Sequence, residues 1–171
     1  MKEPEYPETP QIEFNSIRSE TVTNPFGRQI PRINIKLNFK DGDGDLGLSK
    51  EDISEYPFND TLTIVNDDTI VDKTKSNNYF IKAFYKDKNG YVPFANLTFK
   101  DGYRFPRLNP DNEKRTLEGE LNYYYDIILP ISLEFPSYKS GDSLKFEVYV
   151  TDRNFNRSNT ITTDPVAVYE P

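Results

Sequence analysis

The chain has 171 residues, 13 of them proline, carries a formal net charge of −7, and contains neither histidine nor cysteine. The charge opposes non-specific attraction to phosphate backbones and anionic headgroups, so nucleic acid is not an expected partner. The missing side chains remove thiol nucleophiles, disulfides, thiolate metal sites and the usual general base near neutral pH.

Aromatic residues reach 14%, as 12 Tyr and 12 Phe, within a hydrophobic share of 35%. A core built from rings and β-branched side chains favours strands, and the length suits one domain. No run approaches the roughly 20 apolar residues of a membrane-spanning helix, and no signal peptide is visible.

In chain order, residues 1–10 set Pro4, Pro7 and Pro10 among Glu3, Glu5 and Glu8, a composition that buries little apolar area and predicts a flexible N-terminal tether. Residues 11–171 then form a single domain. Arg32 to Lys40 is the cleanest strand, with Ile33, Ile35, Leu37 and Phe39 on one face and Asn34, Lys36, Asn38 and Lys40 on the other. It runs into Asp41-Gly42-Asp43-Gly44-Asp45-Leu46-Gly47. Leu48 to Ser54 can form a helical turn capped by Ser49, with Glu51 and Asp52 favourable in its first turn.

Tyr79 to Lys86 and Tyr91 to Thr98 flank Asp87-Lys88-Asn89-Gly90, in which Asn-Gly supplies the positive φ angles of a hairpin turn. Lys100 to Gly119 is the longest stretch without a strand pattern and therefore the expected contact surface. Leu121 to Leu129, Ser143 to Thr151 and Ile161 to Val168 supply three more strands. Frequent prolines exclude long helices, and short strands at this spacing predict an all-β antiparallel sandwich with long loops.

The acidic loop carries the clearest chemistry. Three aspartates at alternate positions turn three carboxylates to one side of a tight turn, and such crowding is unfavourable unless a cation neutralises it. Calcium, with six to eight oxygen ligands and tolerance of irregular geometry, fits better than magnesium. The spacing partly resembles the EF-hand loop, with Asp41, Asp43 and Asp45 at its first, third and fifth places and Asp52 at its twelfth. Leu46 stands where the EF-hand has glycine and a strand leads in, which points to a strand-borne calcium loop; the competing reading is a soluble turn.

Asp152-Arg153-Asn154-Phe155-Asn156-Arg157-Ser158-Asn159 follows the strand ending at Thr151. If it sits at the same end, Asp152 with Asn154 or Asn156 can complete the coordination; otherwise it is a plain hairpin turn. The candidate metal ligands are thus Asp41, Asp43, Asp45, Asp52, Asp152 and Asn154. Extracellular calcium modules bind at roughly 10⁻⁴ to 10⁻³ M, so the ion is expected to stabilise rather than signal.

The strand entering Phe39-Lys40-Asp41-Gly42-Asp43-Gly44-Asp45-Leu46-Gly47, the block Leu117-Glu118-Gly119-Glu120 and the closing Phe146 to Arg153 with Ser158-Asn159 resemble small cell-surface, outer-membrane lipoproteins of Bacteroidota with immunoglobulin-like folds. The resemblance implies an extracytoplasmic location and a lipid anchor on a cysteine just after the signal peptide. That cysteine is missing here, which fits a sequence beginning beyond it. It implies no catalytic residues, and an accessory or scaffolding role on a larger outer-membrane or cell-surface protein complex for transport or assembly.

The expected function is therefore a non-catalytic calcium-binding surface domain that contacts another protein. The alternative is a carbohydrate-binding module in which Tyr103, Phe105, Tyr123, Tyr124 and Tyr125 stack on a glycan, although Tyr123 and Tyr125 share one strand face and Tyr124 takes the other. A glycosidase using Glu118 and Glu120 ranks below both, because no proton-relay partner is evident.

Overall fold

The computed structural model describes residues 5–59, 61–65, 68–72, 74–93, 102–111, 113–127 and 139–171. It is an all-β antiparallel sandwich. Strand β1 (Gln11–Thr23) and strand β2 (Gln29–Asp41) form a long hairpin. Its turn is organised by Asn24, whose Oδ1 accepts the N–H groups of Phe26 and Arg28 at 3.0 Å each. Residues 61–65 (β3) and 68–72 (β4) make a separate two-stranded hairpin.

Strands β5 (Tyr79–Asp87) and β6 (Gly90–Pro93) are the expected second hairpin, with Asp87 paired to Gly90. The positive φ, +122°, falls on Gly90 rather than on Asn89, and Asp87 Oδ1 accepts the Asn89 N–H at 2.7 Å. Strand β7 (Leu117–Asp126) pairs with the free edge of β2, giving one sheet in the order β1-β2-β7.

The second sheet adds β8 (Ser143–Val150), β9 (Ile161–Thr162) and β10 (Val166–Ala167), in the order β10-β8-β5-β6 with β9 also on β8. The expected single strand Ile161 to Val168 is thus two short ones. Pro165 has no N–H to offer a ladder, and at this break Thr163 takes over the bonding: its N–H donates to the Phe146 carbonyl at 2.9 Å and its Oγ1 accepts the Phe146 N–H at 3.1 Å. The expected extensions from 94 to 98 and at 128 and 129 lie outside the described residues.

Ile33, Ile35 and Leu37 of the first sheet face Ile81, Ala83, Leu144, Phe146, Val148 and Val150 of the second in one buried cluster. Strand β1 escapes simple alternation because its register shifts between Phe14 and Ser16. The bulge adds a residue to the phase, so that Phe14 and Ile17 both pack on the core. The expected helical turn is a 3-10 turn, Asp52–Ser54. Ser49 and Asp52 bond reciprocally there: Ser49 N–H to Asp52 Oδ2 at 2.7 Å, and Asp52 N–H to Ser49 Oγ at 3.1 Å.

The N-terminal segment is no free tether where it is described. Pro10 is buried, the Pro7 carbonyl accepts the Gly42 N–H at 2.9 Å, the Tyr6 hydroxyl donates to Glu118, and Glu8 pairs with Lys114. A Cβ on Gly42 would lie 2.2 Å from the Tyr6 carbonyl oxygen. The domain therefore begins before residue 11, with residues 6–10 laid against the acidic loop.

Phe146 is 1% exposed and Phe26, in the β1–β2 turn, is 93% exposed. Phe146→Ala is expected to lower unfolding free energy by about 3–5 kcal/mol and Phe26→Ala by no more than about 0.5 kcal/mol, both read by denaturant titration.

Candidate metal centre

The alternation that builds the core also delivers charge to its rim. In β2 the inward phase of Ile33, Ile35, Leu37 and Phe39 continues to Asp41, which is 0% exposed. In β8, on the opposite sheet, Leu144, Phe146, Val148 and Val150 lead in the same phase to Asp152, 3% exposed. The two ends meet, since Leu46 and Asp152 form an antiparallel backbone bridge. Each sheet thus places an aspartate at one end of the sandwich interior.

One carboxylate oxygen from each of Asp41, Asp43 and Asp45 lies within 4.8 Å of the other two. Both oxygens of Asp41, and Oδ1 of Asp43 and of Asp45, are buried without a hydrogen-bond partner. Leaving such acceptors dry and unpaired costs about 1–3 kcal/mol each, more when ionised.

Burial raises the Asp41 carboxyl to about 6, with the charges of Asp43 and then Asp152 adding to it. The Leu46 and Asp45 N–H dipoles oppose this from positions short of hydrogen-bond geometry. Asp45 is also raised, first by burial and then by the charges of Asp152, Asp43 and Asp41, against Arg153. Two buried carboxylates that resist ionisation beside a third, with oxygens that accept no hydrogen bond, suit a hard divalent cation.

The loop of residues 152–156 arrives at the same place. Asn154 Nδ2 donates to Asp45 Oδ2 at 2.9 Å, so this amide steadies a member of the triad. Asp152 is itself bound by Asn156, whose backbone N–H meets Oδ1 at 2.7 Å and whose Nδ2 meets Oδ2 at 2.8 Å. Burial raises its carboxyl, while those bonds oppose the rise. Asp152 therefore acts on the triad through its field, and Asn156 holds Asp152.

Asp52 is not brought to the centre. Arg107 grips both of its oxygens, Nε to Oδ2 at 2.7 Å and Nη2 to Oδ1, and that pairing pulls its carboxyl down to about 2. The EF-hand register fails for a physical reason. Leu46 is fully buried in the core, its backbone is bridged to Asp152, and its carbonyl accepts the Leu108 N–H at 3.1 Å. The chain therefore leaves the centre after six residues instead of wrapping twelve around an ion.

Several residues with no local signal complete the surroundings. The Arg115 N–H reaches the Asp43 carbonyl at 3.4 Å, and Gly44, at φ +75°, sits where a Cβ would be 2.5 Å from the Arg115 carbonyl oxygen. Asn109 donates to the Gly44 carbonyl. Within the described part of Lys100 to Gly119, residues 105–109 and Arg115 are in this way packed on the acidic loop and on Leu48 just after it, whereas Tyr103 bridges to Tyr79 and Leu117 already opens β7.

The rings expected to form a sugar platform mostly belong to the interior. Tyr123 stacks on Tyr79 with centroids 4.9 Å apart and 15° between planes, and Tyr103 leans on Tyr123 at 4.9 Å. Tyr125 is buried and Phe105 packs on the core. Tyr124 alone of the five is largely exposed, at 53%, beside the Arg32 guanidinium. Glu118 accepts the Tyr6 hydroxyl, and Glu120 pairs with Lys36 at 3.2 Å. No protein-family model, curated protein or solved structure matches the chain.

The Asp41 shift has a measurable sign. Its folded pKa lies above the unfolded value of 3.8, so the stabilisation present in acid is lost as pH rises through about 6. In chelator, the chain is expected to lose about 1 kcal/mol from Asp41 alone between pH 5 and pH 7. Asp41→Asn should flatten that decline in thermal melts.

Proposed function

We propose that this chain is a non-catalytic calcium-binding domain of a cell-surface lipoprotein, in which one ion held by Asp41, Asp43 and Asp45 fixes the loop end of the sandwich as a recognition surface for another surface protein. The observation that carries the reading is the set of four buried carboxylate oxygens with no donor, placed on three residues close enough to share one ion. Calcium suits the all-oxygen set and the irregular, glycine-rich loop.

The ion acts on order. Residues 6–8, 105–108, 113–115 and 152–156 all bond to the acidic loop or to its immediate partners, so an ion there holds five stretches of chain in one arrangement. At a hundredfold excess over its dissociation constant it contributes about 2.7 kcal/mol, enough to still loops but too little to drive a refolding switch. The surface location, the lipid anchor and the role in a larger complex follow from the sequence resemblance, and the non-catalytic reading rests on the absence of histidine and cysteine.

Calcium at millimolar concentration is expected to release heat on titration and to raise the melting temperature at pH 7. The triple variant Asp41→Asn, Asp43→Asn, Asp45→Asn should show neither effect; a parent chain that shows neither would defeat the proposal. The partner is tested by pull-down from native outer membranes. Recovery with another membrane protein in calcium and alone in chelator is expected, whereas a lone chain under both conditions counts against the scaffolding role.

A further inference from the structure

We infer that the ion is shared between two loops, with the side-chain oxygen of Asn109 as a neutral fourth ligand; this rests on the calcium reading above. Asn109 is 1% exposed. Its Nδ2 donates to the Gly44 carbonyl at 3.3 Å and to the Glu113 carbonyl at 2.6 Å. Both amide protons are thereby engaged, and two carbonyl acceptors decide which way the amide faces. The group is pinned against the residue between Asp43 and Asp45.

Asn109 Oδ1 is buried and meets no donor. A buried amide oxygen is ordinarily hydrogen-bonded, and here the element beside it is the acidic loop. Together with Asp41 Oδ1 and Oδ2, Asp43 Oδ1 and Asp45 Oδ1, it makes a fifth donorless oxygen at this end of the sandwich among the described residues.

Calcium takes mixed sets of carboxylate and amide oxygens. A neutral oxygen adds to the coordination without adding a like charge to three carboxylates that already oppose one another. The consequence is mechanical: an ion bonded to both loops ties the Asn109–Arg115 stretch to β2, where the Arg115 N–H already reaches the Asp43 carbonyl.

The test compares the parent chain with Asn109→Ala and Asn109→Asp by calcium calorimetry, and counts ion-bound waters from europium luminescence lifetimes. Asn109→Ala is expected to bind calcium about tenfold more weakly or worse and to gain about one bound water on europium. Asn109→Asp keeps an oxygen but loses the same two donated bonds, and is expected to bind at least as tightly as the parent. If Asn109→Asp fails as badly as Asn109→Ala, the two donated bonds are the whole role of the residue and the inference falls. It falls equally if Asn109→Ala matches the parent in affinity and water count. A parent chain that takes up no calcium overturns the calcium reading and this inference with it, whereas a binding parent with an unaffected Asn109→Ala overturns this inference alone.

Discussion

The loop end of this sandwich is governed by carboxylate oxygens held away from water with nothing to donate to them. An isolated buried carboxylate resolves that problem by taking up a proton. Asp41 and Asp45 lie within one ion's reach of Asp43, and the charges of Asp43 and Asp152 make ionisation of those two costlier still. One divalent ion satisfies the lone pairs and the charge together, which protons do only by surrendering the charge.

What places those oxygens is ordinary strand geometry. A period of two carries an aliphatic face along β2 and along β8, and the next residue in each inward phase is an aspartate. Both sheets were needed to form a core, so both aspartates were delivered to the same rim. The core beneath is apolar and indifferent to metal, while the loops above it are tied mainly through backbone carbonyls and amides around the acidic turn. Local stability is therefore uneven, with the core contributing the global part and the rim conditional on its charge state.

The sandwich, the β5–β6 hairpin and the acidic triad were legible because each rests on a local pattern: alternation, a turn dipeptide, repeated Asp-Gly. The helical turn came out as a 3-10 turn with Glu51 at its N-cap, and Ser49 instead bonds Asp52 from before it. Strand β1 was hidden by its bulge, which breaks the alternation between Phe14 and Ile17. Asp52 followed from an analogy of spacing that the burial of Leu46 defeats, and its partner Arg107 lies 55 residues away. Asn109 and the docking of residues 6–8 depend on long-range contacts, and no short-range pattern encodes them. Aromatic content pointed to rings; Tyr123 turns inward because it shares the β7 face of Leu121 and Tyr125, opposite Ile35, and Tyr103 follows it through its isolated bridge to Tyr79, which only the fold reveals.

The most direct examination of the central claim is a crystal of this chain grown in calcium, with anomalous diffraction recorded after lanthanide exchange. The account predicts one strong anomalous peak bonded to oxygens of Asp41, Asp43 and Asp45. A well-ordered acidic loop at neutral pH with no ion, its carboxylates bonded only to water or to protein donors, would contradict it.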